Sequence, residues 1–516
     1  MHWADVIAEE LMQKRKKHVL ATGITPSGPI HIGNMREILT TDGVYRSLIK
    51  RGADVDFIYI ADDYDHLRKV YPYLDSSFEQ YVGMPVSDIP CPCGKHESYA
   101  DHYLKAFLES LDEIGINPHV YRASDMYKKG MYKDAIQTAL EHTKEIRAII
   151  ETISKRTLPK QWLPFNVICS SCKKITTATP SLYEYPYVEY TCQCGYEGSI
   201  DIRNNGVGKL PWRVDWPARW QMLQVSYEPF GKDHATTGGS RQTGEKISKD
   251  IFHYEPPAYT VYEFILLKGK GAMHSSKGTG LSAGEMLHIT PPEVLRFLIM
   301  KNQPNKHIAF DPGFGLLSFV DEYDQFERMY FGEEEHIKGA KDIDALYELS
   351  QPKHIPKKLP MQVPYRHLVT LVQIQKEWAE VKEMLQRSNQ LSKKISKEDE
   401  ERLILRLDHV KYWLTHFAPQ QVLFEVTKKL PPIKITKDQQ QFLNIFLKKA
   451  EAISWDAEAI HNMIYSIAET NDIPAKTIFT TLYQIFLNQN NGPRIGYFLS
   501  NLDESFVLKR IKEAVK

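Results

Sequence analysis

No stretch of the 516-residue chain contains about 18 consecutive apolar residues, so the sequence predicts no membrane span. The basic run from Lys14 to Lys17 is not followed by the apolar region of a secretory signal. An excess of positive charge is also missing, because 65 Lys and Arg residues balance 65 Asp and Glu residues. Any contact with nucleic acid must therefore come from local patches. These absences favour a soluble cytoplasmic protein.

Cysteine is scarce, and the six cysteines form three close pairs, which suits metal binding in a reducing compartment better than disulfides. Two residues separate Cys169 from Cys172, and nineteen residues separate Cys172 from the pair Cys192 and Cys194. Two such knuckles brought together by a hairpin would place four thiolates around one zinc ion, as in a zinc ribbon.

A second and less specific cluster precedes the ribbon and consists of Cys91, Cys93, His96 and His102. These residue types suit a Cys2His2 zinc site, although a packed and reduced knuckle also explains the cysteines. We expect one or two zinc ions per chain. Their role should be structural, because both clusters lie away from the motifs described below that suit phosphate binding.

Apolar runs and turn residues predict an α/β fold at the start of the chain. A charged helix leads to the strand His18–Thr22, a helix from about Asn34 to Arg51 and the strand Val55–Ile60. This succession predicts a doubly wound parallel sheet of Rossmann type, which binds nucleotides at the carboxyl ends of its strands. Strand-like residues return at Leu210–Trp216 and Thr260–Leu267.

We expect five regions along the chain. They are the first half of the Rossmann catalytic domain (1–83), a zinc-bearing insertion (84–206), the second half of the catalytic domain (207–285), a connecting helical region (286–340) and an all-α C-terminal domain (341–516). Several residues of the last region suit RNA phosphates or unpaired bases, although an ordinary charged helix face explains most of them equally well. They are Lys428, Lys429, Arg494, Tyr497, Phe498, Lys509 and Arg510.

The first chemistry-bearing motif is His31-Ile32-Gly33-Asn34, at the predicted start of a helix and just after Pro26 and Ser27. A helix N-terminus offers free N–H groups and a positive dipole end to a triphosphate. An imidazole can donate to phosphate oxygens during attack on the α-phosphate, and a glycine leaves room for the adenine ring. Alone, the motif is also explained by a polar helix cap.

The second motif is His274-Ser275-Ser276-Lys277-Gly278, in a glycine-flanked loop after an apolar strand. The ammonium of Lys277 suits charge that moves onto the β- and γ-phosphates. A competing lysine-rich segment, Lys246-Ile247-Ser248-Lys249-Asp250, follows no apolar strand. We therefore interpret Lys246 and Lys249 as part of a solvated helix face.

Together, the two motifs and the αβ pattern between them resemble the HIGH and KMSKS signatures of class I aminoacyl-tRNA synthetases. Five segments narrow the resemblance to the class I lysyl-tRNA synthetases, along nearly the whole chain: Thr22–Gly28, Gly33–Glu37, Trp212–Trp220, Gly231–His234 and Met273–Gly278. The resemblance implies that Mg-ATP and L-lysine form lysyl-adenylate, that lysine then passes to tRNA(Lys), and that the helical domain binds the anticodon.

The resemblance also implies roles for individual residues. Catalysis falls to His31, Gly33, Asn34, Ser276 and Lys277, and ATP binding involves these together with Pro26, Ser27, His274 and Ser275. Lysine binding falls to Gly23, Thr25, Glu37, Trp212, His234 and Tyr262, with Tyr259 as the alternative tyrosine. A buried ammonium needs a carboxylate and often an aromatic wall, which suits this set. Ligands of the first zinc cluster vary in the family, which makes Asp88 an additional candidate.

Other functions remain open at this point: a class I synthetase for glutamate or cysteine, a nucleotidyltransferase without tRNA, and a synthetase-derived RNA-binding protein that has lost activation. Intact His31, Gly33, Asn34 and Lys277 argue against the last of these. The sequence does not specify the oligomeric state, and we expect a monomer.

The assignment of the second motif predicts a difference between two lysines. Lys277→Ala should reduce adenylate formation far more than Lys249→Ala, because only Lys277 follows the strand that leads into the loop. ATP–pyrophosphate exchange measures the effect, and the reverse order would place the motif at Lys246–Asp250.

Overall fold

The structure is a computed structural model that describes residues 1–268, 281–336 and 342–516, together with the main chain of 271–272. The chain forms two compact units. The first contains residues 1–287, 292–310 and 332–355, and the second contains 288–291, 311–331 and 356–516. Within the described ranges, no helix is both long and apolar enough to cross a membrane.

A parallel sheet forms the centre of the first unit. Strand β1 (Lys17–Ile24) pairs with β2 (Asp54–Ala61), which pairs with β3 (His119–Arg122). On the other side of β1, parallel bridges connect Leu20 to Tyr227 and Tyr227 to Ala258. With the segments 226–231 and 258–262 counted as fourth and fifth strands, the order is 3-2-1-4-5, which is that of a Rossmann fold. The predicted doubly wound sheet is confirmed.

Helices cover this sheet because its strands are apolar on both faces. Helix α1 (Trp3–Lys14) packs on α2 (Ile32–Lys50), and α2 packs on β1 and β2. Helices α7 (Trp212–Met222) and α8 (Ser240–Asp250) contact each other. A core cluster combines aromatic residues of α7 with residues of the sheet: Ala21, Ile58, Ile60, Trp216, Trp220, Val225 and Phe230.

The strand predicted at Leu210–Trp216 is wrong. The strand β8 (Gly208–Lys209) ends before this stretch, and Pro211 is the N-cap of α7. From Val214 to Trp220 every residue of α7 is buried, the charged Asp215 and Arg219 included. Burial all round the helix removes the 3.6-residue apolar period, and aromatic residues favour a strand assignment.

The stretch expected to be the insertion contains α3 (Tyr99–Glu113), α4 (Ala123–Lys128), α5 (Lys133–Glu141), α6 (Thr143–Ser154) and the antiparallel strands β5 (Ala178–Glu184), β6 (Tyr187–Cys192) and β7 (Glu197–Asp201). It also contains β3, so part of 84–206 belongs to the central sheet. An antiparallel pair of two-residue strands, β4 (Asn166–Val167) with β8, lies where the chain enters and leaves the ribbon.

The rest of the first unit follows the sheet. Strand β9 (Phe230–Gly231) pairs with β10 (Val261–Tyr262), and β11 (Ile265–Leu267) pairs with β12 (Gly271–Ala272) and, in parallel, with β13 (Ile308–Phe310). The remaining helices of this part are α9 (Ala283–Ile289), which ends in the second unit, α10 (Pro292–Met300) and α12 (Ile343–Ser350).

The second unit is helical, as predicted for the C-terminal part. Its helices are α11 (Phe314–Tyr330), α13 (Tyr365–Ile374), α14 (Trp378–Arg387), α15 (Lys397–His416), α16 (Lys437–Ala450), α17 (Ala457–Thr470), α18 (Ala475–Leu487), α19 (Ile495–Asn501) and α20 (Glu504–Val515). Phe498 is fully buried, and Arg510 is buried and donates to Thr427 Oγ1 at 2.9 Å. These two residues stabilise the unit, whereas Tyr497 is 39% exposed.

Candidate active site and metal centres

The strand order predicts a ligand-binding crevice beside the carboxyl end of β1. The order reverses between β1 and the segment 226–231, and open α/β sheets bind ligands where this happens. Gly23 is the penultimate residue of β1, Thr25 directly follows β1, and His234 follows β9, which ends at Gly231. The three residues therefore lie at the carboxyl ends of the two strands on either side of the reversal. The predicted lysine-binding residues of these strands therefore share one edge of the sheet.

Glu37 joins this edge from helix α2. Its Oε1 accepts a hydrogen bond from the Gly23 amide at 3.1 Å, and its Oε2 accepts one from the Tyr262 hydroxyl at 2.7 Å. Burial raises the pKa of Glu37 to about 8, against the opposing effect of these two hydrogen bonds, and the charges of Glu228 and Asp233 raise it further. A carboxylate in this position is suited to a cationic ligand.

An aromatic wall stands on the α7 side of the crevice. Trp212 is 40% exposed and stacks on Trp216, with ring centroids 5.1 Å apart. His234 lies 5.5 Å from the Trp216 ring, and its Nδ1 lies 2.7 Å from Ser240 Oγ. Such faces can contact an alkyl chain and attract its terminal cation.

A buried carboxylate that the sequence did not identify supports this wall. Glu228 Oε2 accepts hydrogen bonds from the indole nitrogens of Trp216 at 2.9 Å and Trp220 at 2.6 Å. Burial raises the pKa of Glu228 to about 7, although both indole donors oppose the shift. Glu228 therefore fixes the orientation of the ring on which Trp212 stacks.

The two candidate tyrosines differ in their surroundings. Tyr262 is buried and donates to Glu37. Tyr259 is 50% exposed, stacks on Phe230 at 5.1 Å and lies 4.6 Å from the Arg241 guanidinium. The contact with Glu37 favours Tyr262 over Tyr259 as the predicted lysine-binding tyrosine.

A network of charges, buried except for the partly exposed Asp65, lies beneath the same edge. Arg219 Nη2 donates to Asp62 at 2.7 Å and to Asp215 at 2.9 Å. Lys209 Nζ lies 2.5 Å from Asp65 and 3.7 Å from Asp215. Burial alone would lower the pKa of Lys209, but the carboxylates outweigh it and hold that pKa above its usual value. We call these five residues the acidic network.

The acidic network reaches the crevice through Thr25, whose hydroxyl donates to Asp65 Oδ2 at 3.0 Å. Sequence reasoning missed the network, although one signal was present. Asp62, Asp63 and Asp65 come directly after the apolar strand β2, at the edge where ligands bind.

The first phosphate motif lies at the start of α2. His31 is the N-cap residue, and the Asn34 amide donates to the His31 carbonyl at 2.9 Å. A Cβ added at Gly33 would lie 2.8 Å from Cε1 and Nδ1 of His31, so glycine lets the imidazole cover the helix start. Pro26 and Ser27 lie in the turn after β1, and the Ser27 carbonyl accepts from the Tyr99 hydroxyl at 2.7 Å.

The second phosphate motif, with His274, Ser275, Ser276 and Lys277, lies outside the described residues. Its competitor is described: Lys246 and Lys249 are exposed on α8. Lys246 pairs with Asp250, and Lys249 lies 3.2 Å from Glu255. The prediction that these lysines belong to a solvated helix face is confirmed.

The later cysteine cluster brings four sulfur atoms together. The Sγ atoms of Cys169, Cys172, Cys192 and Cys194 lie within 4.8 Å of one another. Cys169 and Cys194 are 3.7 Å apart, as are Cys172 and Cys192. Zinc–sulfur bonds of about 2.3 Å in a tetrahedron give sulfur–sulfur distances of about 3.8 Å. The cluster therefore fits zinc.

The earlier cluster contains the four predicted donors, Cys91, Cys93, His96 and His102. The Sγ–Sγ distance is 3.4 Å, the Nδ1–Nδ1 distance is 3.3 Å, and the sulfur–nitrogen distances are 3.3 to 3.7 Å. A tetrahedral zinc ion requires about 3.3 to 3.8 Å for such pairs. The additional candidate Asp88 pairs with Lys128 at 2.5 Å and lies outside this group.

One glycine with a positive φ shapes a turn in each of the two cysteine clusters. Gly94, directly after Cys93, has φ +69°, and Gly195, directly after Cys194, has φ +88°. Their amides donate to the carbonyls of Cys91 at 3.1 Å and Cys192 at 2.9 Å. Because an L side chain is strained in this region, the glycines allow the tight turns that bring each cysteine pair together.

Comparison with known proteins matches two families to the chain. The family described as "tRNA synthetases class I (K)" covers residues 1–353, and the family "Anticodon binding domain" covers residues 408–515. The Rossmann sheet, the His31–Asn34 helix start and these matches define a class I aminoacyl-tRNA synthetase.

Individual relatives resemble the whole chain. A lysine–tRNA ligase of Picrophilus torridus is 42% identical over 512 residues, which cover 99% of this chain and 98% of the relative. A lysine–tRNA ligase of Methanosarcina barkeri (strain Fusaro) is 44% identical over 536 residues, and that of Thermoplasma volcanium is 42% identical over 515 residues. Both alignments cover 100% of this chain. The chain belongs to the class I lysyl-tRNA synthetase family.

The geometry of the two clusters predicts two zinc ions per chain. Cys192→Ser should remove one ion and Cys91→Ser the other, since a hydroxyl is a poor substitute for a thiolate ligand. Elemental analysis of purified protein measures the content, and each variant serves as the control for the other cluster. A wild-type protein without zinc would contradict the assignment of both sites.

Proposed function

We propose that this protein is a lysine–tRNA ligase that activates L-lysine with Mg-ATP and transfers it to tRNA(Lys). Similarity along the whole length to lysine–tRNA ligases carries the proposal. The Glu37 carboxylate at the strand-order reversal is the part of the geometry that suits a cationic amino acid. A ligase for glutamate would need a cationic residue where Glu37 lies.

In this proposal, Glu37 receives the side-chain ammonium of lysine, and the Tyr262 hydroxyl holds the carboxylate in place. Trp212 and His234 contact the alkyl chain. Gly23 and Thr25 lie at the β1 end of the pocket. The Thr25 hydroxyl proton is directed to Asp65 at 3.0 Å, so its oxygen presents lone pairs to the pocket and suits an ammonium donor.

The reaction itself needs no nucleophilic side chain. The lysine carboxylate attacks the α-phosphate of ATP, pyrophosphate leaves, and the lysyl group then passes to the terminal ribose of the tRNA. His31 and the free amides at the start of α2 stabilise the phosphate charge, with Gly33 and Asn34 shaping the helix start. Pro26 and Ser27 contact ATP from the turn. We assign His274, Ser275, Ser276 and Lys277 to the phosphates from the sequence.

The remaining regions serve the tRNA. The match of residues 408–515 to an anticodon-binding family supports anticodon recognition by the second unit. Zinc at the two clusters would hold the knuckles of the inserted region, 84–206, which we assign to the acceptor end. Six cysteines that form no disulfide and a role in translation support a cytoplasmic location. We propose a monomer.

Pyrophosphate exchange with each amino acid in turn, with and without tRNA, tests the proposed function. Lysine should support exchange, and glutamate and cysteine should not, because neither of their side chains offers a cation to pair with the ionised Glu37 carboxylate. Exchange with another amino acid and none with lysine would refute the assignment.

Lysine binding should release a proton near neutral pH. The pKa of Glu37 is raised to about 8 in the free protein, so the carboxyl is largely protonated at pH 7 and must ionise to receive the ammonium. Affinity should rise by up to roughly tenfold per pH unit below 8 and level off above it, since the lysine side chain keeps its proton to a pKa of about 10.4. Calorimetry in buffers of different ionisation enthalpy, from pH 6 to 9, measures both quantities.

Glu37→Gln is the matched control, because it preserves the shape and removes the titration. It should weaken lysine binding by about 2 to 5 kcal/mol and abolish the pH dependence. Proton release that persists in this variant would assign the titration to another group.

A further inference from the structure

Arg36, the neighbour of Glu37 on α2, is an unusual cation. Its side chain is 1% exposed, and its hydrogen bonds go to main-chain carbonyls. Nη1 donates to Glu263 and, at 3.4 Å, to Phe264. Nη2 donates to the carbonyls of Gln303 at 3.2 Å, Pro304 at 3.0 Å and Lys306 at 2.6 Å. Burying a guanidinium that is hydrogen-bonded only to carbonyls costs desolvation free energy. Its presence here therefore needs a structural or functional explanation.

The carbonyls belong to two segments that enter paired strands. Glu263 and Phe264 precede β11, and residues 303–306 precede β13, the parallel partner of β11. The Glu263 amide also donates to the Pro304 carbonyl at 2.9 Å. Arg36 therefore holds the amino ends of both strands against α2 from one side chain.

The first of these segments begins next to the pocket. Tyr262, which donates to Glu37, directly precedes Glu263. Consecutive residues of α2 thus bind consecutive parts of one segment: Glu37 through the Tyr262 side chain, and Arg36 through the main chain of 263–264. The position of the Tyr262 hydroxyl relative to Glu37 depends on where this main chain lies.

We propose that Arg36 is a positioning residue for the lysine pocket: its guanidinium holds the 263–264 main chain against α2 and so aligns the Tyr262–Glu37 pair that receives the substrate ammonium. This inference rests on the proposed function. An arginine is required because a planar guanidinium offers five N–H donors in a fixed fork, whereas a lysine ammonium has three on a flexible stem and cannot reach both segments in the same geometry.

Arg296 provides a matched control in the same unit. It is fully buried, and it also ties α2 to other segments, through Asp42 at 2.5 Å and the carbonyls of Leu349 at 2.7 Å and Ile114 at 3.1 Å. None of these partners contacts Glu37 or Tyr262 in the described structure. Loss of Arg296 should therefore affect stability and leave the pocket unchanged.

The test compares Arg36→Lys with Arg296→Lys by thermal unfolding and by pyrophosphate exchange, with KM for lysine, KM for ATP and kcat determined for each. Both variants should unfold at lower temperature than wild type. Arg36→Lys should raise KM for lysine by about tenfold or more, the loss of one well-placed charged hydrogen bond, and change KM for ATP by less than about twofold. Arg296→Lys should keep both KM values within about twofold of wild type.

A double-variant cycle with Tyr262→Phe tests whether Arg36 affects KM for lysine through Tyr262. If Arg36 acts through Tyr262, the double variant should raise KM for lysine little more than Tyr262→Phe alone, whereas independent effects would multiply. Should Arg36→Lys fail to fold, Arg36→Gln replaces it in the same measurements.

A KM for lysine that stays within about twofold of wild type in the Arg36 variant, or that rises equally in the Arg296 variant, would overturn the proposal, as would multiplying effects in the cycle. Failure of the wild-type protein to exchange with lysine would instead overturn the proposed function, so the two failures are distinguishable.

Discussion

The first unit depends on the acidic network, because this network joins parts of the chain that are far apart in sequence. Asp62 and Asp65 follow β2, Lys209 lies in β8 and Asp215 and Arg219 lie in α7. About 150 residues separate the first part from the others, and they meet beneath the edge where β1 ends. Removing one partner of such a buried ion pair leaves a charge unsatisfied, a loss of about 3 to 5 kcal/mol. The network therefore fixes the segment after β2 relative to β8 and α7 at the edge of the sheet where β1 ends.

The network also contributes to the electrostatics of the crevice. It contains three carboxylates and two cations, and the partly buried Glu37 and the buried Glu228 add two further acidic groups. Low-dielectric walls strengthen the field of such groups in a cleft. The carboxylates of the network outnumber its cations by one, and in the proposed pocket this excess would disfavour an anionic amino acid. Specificity for lysine would then have two sources, the direct Glu37 contact and the sign of the surrounding charge.

Local signals predicted much of this structure. Strand, turn and helix at 18–60 predicted the parallel sheet, and the spacing of eight Cys and His residues predicted two donor groups that converge. Sequence patterns did not predict the features that depend on long-range contacts or on complete burial. β3 carries only four residues, α7 is buried all round, and Arg36 finds its carbonyl partners more than 220 residues away. No spacing in a single sequence records which distant main-chain atoms will meet a given side chain.

The short pair of β4 with β8 links the ribbon of the inserted region to the acidic network. The chain enters the zinc ribbon just after Val167 and returns at Gly208, and the next residue, Lys209, binds Asp65 beneath Thr25. Excising the ribbon would free the strand that presents this lysine. The region with the cysteine clusters and the proposed amino-acid pocket are thus mechanically coupled through Lys209, and a smaller catalytic core would have to supply a new anchor for this lysine.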